Sequence, residues 1–219
     1  MRGVAARLVL STLACLAFAA TPTPADSWVA PREATYYSRG REFRLRVFPR
    51  VLSSPGDYWH QYDQGPGKRG QAAGQRDVCL GQLEKQARDG SYGVVWKRTL
   101  VNDVSPVAAL VTSDGSHVVT FDNWHNMGYG GDVIVIYGPE GKLVASLGLS
   151  GFLSTEQIAR LPRTMSSIQW GGAHHFDETE KHLVVLVAAG NHEGAGAPAD
   201  WRSVVLSLED GHVQGADEH

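Results

Sequence analysis

Cysteine is nearly absent from this chain of 219 residues, which holds only Cys15 and Cys79. Cys15 falls inside an N-terminal apolar run, so the body of the chain carries one thiol and cannot form an internal disulfide. Cys79, between Val78 and Leu80, reads as a small buried hydrophobe; a catalytic thiolate would need an electropositive setting and a partner histidine. After the N-terminus no long apolar stretch recurs, which excludes a helical membrane anchor in the body. A basic excess is also missing, with 20 Lys and Arg against 23 Asp and Glu, so nucleic acid is not the expected partner.

The N-terminus itself is informative. Arg2 and Arg7 precede an apolar run from Leu8 to Ala20 that is shorter than a membrane span, the pattern of a secretory signal peptide. Ala17-Phe18-Ala19 offers a small-x-small cleavage site, giving a leader over residues 1–19, and Thr23-Pro24-Ala25 would place cleavage as late as 25. Thr12-Leu13-Ala14-Cys15 loosely matches lipoprotein processing at Cys15, with Thr where an aliphatic residue is usual, and stands as the alternative. The expected location is extracytoplasmic, secreted or periplasmic. Cleavage leaves about 200 residues with a net charge of about −5, the size of one β-rich domain over 26–219.

What the body contains is a weak repeat. A turn followed by an alternating strand occurs as Tyr37-Ser38-Arg39-Gly40 before Phe43 to Val47 and as Thr112-Ser113-Asp114-Gly115 before Val118 to Phe121. A looser copy is Phe176-Asp177-Glu178-Thr179 before Leu183 to Ala188. A hairpin then follows: Val133 to Tyr137, Gly138-Pro139-Glu140-Gly141 and Leu143 to Leu147, with a copy at Val204 to Leu208, Glu209-Asp210-Gly211 and Val213. A more distant copy runs from Leu80 through Asp89-Gly90 to Trp96. Repeats of this kind bury their apolar faces by stacking on one another. Phe43, Leu45 and Val47 alternate with arginines, as in a strand with one wet face, whereas Val133 to Tyr137 and Leu183 to Val187 are continuously apolar, as in strands covered on both faces. The fold class is all-β, mainly antiparallel.

Two segments depart from the β pattern. Ser154 with Gln157 forms a capping box, Leu153 can staple onto Ile158, and Pro162 stops the element near Leu161, predicting one short inserted helix. Residues 52–77, broken by Gly56, Gly65, Gly67, Gly70 and Gly74, read as a long flexible loop that is either ligand-facing or an insertion tucking in Tyr58, Trp59, His60 and Tyr62. Its Gly65-x-Gly67-x-x-Gly70 lacks the strand and helix that a dinucleotide needs, and His192-Glu193 lacks the second histidine of a zincin helix.

The Ser-x-x-Gly turn with its strand and the Val-Ile-Val-Ile-Tyr-Gly-Pro-Glu-Gly-Lys-Leu-Val hairpin resemble parts of β-propeller blades, most clearly from Ala108 to Leu147. They are similar to the loosely repeated blades of WD40-like and YVTN-type extracytoplasmic bacterial proteins. The resemblance implies propeller-blade-like repeats in an incomplete or irregular propeller, because three repeats fall short of the usual four-blade minimum. Either the sheets close in some other arrangement, or insertions cap the edges, or protomers associate.

Candidate chemistry sits where strands run into glycine-rich loops. Asp122 and His125, before Gly128-Tyr129-Gly130-Gly131, and His174 and Asp177, after Trp170-Gly171-Gly172, would supply ligands to a divalent metal if the two loops met. The same residues also read structurally: Asp122 and Asn123 as turn caps, Trp124 as a core edge, and His174 and His175 as neighbours pointing to opposite faces of a strand. No catalytic residue is assigned. Two functions follow. The leading one is a non-catalytic binding protein presenting Trp59, Trp124, His125 and Tyr129 to a protein or glycan partner, with no cofactor. The alternative is a metal-dependent enzyme using Asp122, His125, His174 and Asp177.

Overall fold

A computed structural model describes residues 29–52, 76–188 and 201–214. The leader, Cys15, Trp59 and most of the 52–77 loop lie outside the described residues. Among these residues the chain forms three four-stranded antiparallel sheets, each a meander whose strands pair in chain order. Sheet 1 holds β1 (Ala34–Tyr37), β2 (Phe43–Phe48), β3 (Leu80–Gln86) and β4 (Tyr92–Thr99). Sheet 2 holds β5 (Ala108–Val111), β6 (Val118–Phe121), β7 (Ile134–Tyr137) and β8 (Leu143–Leu147). Sheet 3 holds β9 (Gly171–Phe176), β10 (His182–Ala188), β11 (Trp201–Ser207) and β12 (Val213–Gln214). The all-β architecture is compatible with blade-like units.

The turns show why the repeat exists. At the first hairpin of each sheet, Ser38, Thr112 and Asp177 turn a side-chain oxygen onto the N–H five residues ahead, at 3.1 Å (Phe43), 2.9 Å (His117) and 3.3 Å (His182). The fourth position of each turn, Arg41, Gly115 or Glu180, has positive φ. These short polar side chains satisfy backbone donors that a six-residue reversal would otherwise strand. At the last hairpin of each sheet, between its third and fourth strands, Gly90, Gly141 and Gly211 supply the positive φ. What reads in sequence as a turn opening a strand is thus a hairpin turn between two strands, β1, β5 or β9 preceding it.

Register aligns the three sheets residue by residue. One row across each sheet is Tyr36, Leu45, Leu83 and Trp96 in sheet 1, and Leu110, Val119, Ile136 and Ala145 in sheet 2. The matching row in sheet 3 is His175, Val184, Val205 and Gln214. The face carrying this row is the leading face of each sheet, and its opposite is the trailing face. Leu45, Leu83 and Trp96, on the leading face of sheet 1, form one core with Val118, Val135 and Tyr137 of sheet 2. Val119 and Ile136, on the leading face of sheet 2, form the second core with Leu183, Val185 and Leu206 of sheet 3. Each sheet thus stacks its leading face on the next one's trailing face. Sheet 2 is enclosed on both sides, and every residue of β6 and β7 is buried.

β10 departs from its sequence reading. Leu183, Val185 and Val187 are buried, but Val184 and Leu186, on the leading face, are half-exposed among the described residues. The predicted helix forms as α1 (Thr155–Arg160), with Ser154 Oγ accepting the Gln157 N–H at 3.2 Å and Gln157 Oε1 accepting the Ser154 N–H at 2.8 Å. Cys79 is buried, and burial pushes its thiol up to about 12, which leaves it a structural hydrophobe. No helix among the described residues is long and apolar enough to cross a membrane.

Candidate functional site

The loop after β6 is held by the residues that the sequence singles out. Asp122 sits at φ 54 and is buried. Its Oδ1 accepts the Gly128 N–H at 2.7 Å, and the Trp170 indole N–H reaches Oδ1 and Oδ2 at 3.1 and 3.0 Å. The carboxylate is therefore a staple between the loop and the segment that leads into β9. Asn123 Oδ1 accepts the Val104 N–H at 3.0 Å. Trp124 is buried against Val104 and Leu52 and donates its indole N–H to Val29 O at 2.9 Å. His125, at φ 69, lies edge-on to Trp124 with ring centroids 5.0 Å apart, and Tyr129 packs against the core between sheets 2 and 3. Trp124 and Tyr129 thus spend their rings on packing.

The proposed metal ligands are not brought together. His174 lies on the trailing face of β9, its ring 3.9 Å from that of Phe121, and burial lowers its pKa; His175 faces the opposite way. Asp177 belongs to the β9–β10 turn, where it receives the N–H groups of Lys181 and His182. Asp122 follows the end of β6, whereas Asp177 precedes the start of β10, the equivalent strand, so they lie at opposite ends of the strands. Among the described residues, no three His, Cys, Asp or Glu side chains cluster as a metal site requires.

Burial raises the Asp122 carboxyl to about 6 against the pull of the Gly128 and Trp170 hydrogen bonds. A folded value above the unfolded one of about 4 means that the native state holds the extra proton in between. The resulting stability is fully present below about pH 4 and is lost as pH rises through about 6. Asp122→Asn removes this titration. The urea-unfolding free energy of wild type relative to the variant is expected to increase by roughly 1–3 kcal/mol between pH 7 and pH 4. A difference that stays flat across that range would refute a buried, strained carboxylate.

A groove of about 1250 Å³ opens at the hairpin-turn end, between sheets 2 and 3. His117 and His182 flank it from equivalent positions, each five residues after the residue that opens its turn, and Lys142, Lys181, Asp114 and Asp210 surround it. Glu180 crosses from sheet 3 to sheet 2, accepting both the N–H and the hydroxyl of Ser113, at 2.5 and 2.8 Å, which ties the two turns together. Burial lowers the His117 pKa, against the opposing field of Asp114, and its Nδ1 lies 3.0 Å from Ser116 Oγ. His182 Nδ1 meets Asp177 Oδ2 at 3.0 Å. Burial opposes the charge on Asp177, but hydrogen bonds from His182, Thr179 and Lys181 outweigh it and hold the carboxyl at about 2. The far nitrogen, Nε2, lies 3.0 Å from the Gln214 amide nitrogen, so this imidazole is engaged on both sides. Sequence reasoning missed both histidines; the signal was their common place six residues into the repeated turn.

No protein-family model and no curated protein matches this chain. The groove and its side chains therefore carry the functional reading by themselves.

Proposed function

We propose that this chain is a non-catalytic binding protein of the extracytoplasmic space, secreted or periplasmic, whose propeller-blade-like sheets present the turn-end groove to a protein or glycan partner. The observation that supports it is the groove's size and its mix of groups. About 1250 Å³ suffices for a chain segment, and Leu143, Val144 and Pro139 supply apolar contact beside carboxylates, ammonium groups and serine hydroxyls. Carboxylates accept and lysines donate hydrogen bonds to hydroxyl groups, which suits a glycan segment. The aromatic loop after β6 supports this role less, because Trp124 and Tyr129 are packed inward. The alternative of a metal-dependent enzyme needs Asp122, His125, His174 and Asp177 in one coordination sphere, and their separation removes its support.

Binding of the purified exported chain to a glycan array, followed by calorimetry on the best hit, tests the reading. The double variant His117→Ala, Lys142→Ala is expected to weaken binding at least tenfold while circular dichroism stays unchanged, since both side chains line the groove. Undiminished affinity in that variant would remove the groove from the function.

A further inference from the structure

Among the described residues the stack has two open ends, and they differ in chemistry. At one end the leading face of sheet 3 repeats the face that sheets 1 and 2 use to hold a neighbour. Val184 occupies the place of Leu45 and Val119, and Val205 that of Leu83 and Ile136. Those counterparts are buried, whereas Val184, Val205 and Leu186 are half-exposed and Trp201 is exposed. At the other end the trailing face of sheet 1 carries Arg44 stacked on Tyr92 at 3.7 Å and Arg46 over Phe48 at 4.7 Å. Arg44 is paired with the buried Glu84 at 2.6 Å. Arg and Tyr held rigid by stacking are the residues that protein interfaces favour, and an internally satisfied carboxylate adds no unpaired charge when covered.

Charge and turn geometry match the two ends to each other. All three sheets point their hairpin turns the same way, and between sheets 2 and 3 the fourth residue of one turn, Glu180, bonds the second residue of the other, Ser113. If sheet 1 of a second copy followed sheet 3 by the same rule, Arg41 would meet Glu178 in those two places, a cation against an anion, both exposed. The surrounding turns agree in net sign: Arg39, Arg41 and Arg88 outnumber Glu42 and Asp89 at the sheet 1 end, while Asp177, Glu178, Glu180, Glu209 and Asp210 outnumber Lys181 at the sheet 3 end. Gly90, whose counterparts Gly141 and Gly211 press on the strand of a preceding sheet, has nothing within 4 Å on its missing Cβ side.

We propose that two copies of this chain associate head to tail, the leading face of sheet 3 of each covering the trailing face of sheet 1 of the other, so that six sheets close a ring with two-fold symmetry. A heterologous contact that continues the internal repeat either closes or runs on as a filament, and six sheets fall within the range of closed blade rings. Each dimer then has two identical interfaces, and its formation covers both ends at once.

Sedimentation velocity and native mass spectrometry of the exported chain test this. At micromolar concentration the expected species has twice the chain mass, and Val184→Glu, at a half-exposed site, is expected to make it monomeric with native circular dichroism. Arg41→Glu should weaken dimerisation about tenfold through its two symmetric copies, and adding Glu178→Arg should restore it. A wild-type chain that stays monomeric overturns the proposal, as does a dimer that survives Val184→Glu. A dimer lost in Val184→Glu but indifferent to Arg41→Glu would mean that two sheet 3 faces meet each other, which also overturns it.

Discussion

Gly211→Val is expected to cost roughly 2–5 kcal/mol, a large part of the 5–15 kcal/mol by which domains are usually stable. Two effects combine. Gly211 has φ 74, a conformation that costs other residues roughly 1–2 kcal/mol and β-branched ones most. Its missing Cβ also points into sheet 2, where an added carbon would lie 2.3 Å from Ala145 Cβ. Sheets 2 and 3 must then separate, and overpacking of this kind costs about 1–3 kcal/mol more. Gly90→Val is the control, because it has the same sign of φ, at 83, but nothing within 4 Å in its own chain. It should cost about 1–2 kcal/mol, the backbone contribution alone. Urea denaturation of both variants in the Val184→Glu background, where the chain is expected to be monomeric, measures the difference. Equal losses would mean that the Gly211 turn is not pressed against sheet 2.

Tyr137→Ala should destabilise the chain by about 3–5 kcal/mol, whereas Tyr137→Phe should cost about 1–3 kcal/mol. Tyr137 is 2 % exposed and lies in the core that joins sheets 1 and 2. Its hydroxyl accepts the Val101 N–H at 2.7 Å, in the segment that carries the chain from sheet 1 to sheet 2. Alanine removes ring and acceptor together and leaves a cavity between two sheets, while phenylalanine keeps the packing and strands one donor. Calorimetric unfolding of the two variants separates these contributions. If phenylalanine were as damaging as alanine, the hydrogen bond rather than the stacking would join the sheets.

The fold was largely legible because its signals are local. Alternation in Phe43 to Val47, the continuous apolar run through Ile134 to Tyr137 and the Ser154–Gln157 capping box each depend on residues close in the chain, and each formed as read. The first strand of each sheet was less legible. β1 and β5 have four residues each, and β9 is a Gly-Gly-Ala-His-His-Phe stretch with weak strand chemistry, so the polar turns after them looked like beginnings. The candidate site was mostly not legible. Trp124 and Asp122 stood out by composition, but whether the indole closes a core depends on Val29, and whether the carboxylate is a staple depends on Trp170, both from elsewhere in the chain.

By itself the sequence determined the all-β class, the repeat, the hairpin turns and the short helix, since backbone donors within a few residues and the two-residue side-chain period decide those. Only the tertiary structure decided that the leading face of sheet 3 is left partly open, that Asp122 and Asp177 lie at opposite strand ends, and that a groove lies beside the Glu180–Ser113 link. That link joins residues 67 positions apart. Such convergence depends on how one sheet's side chains interdigitate with the next, a property of the stacked surfaces that no local pattern encodes.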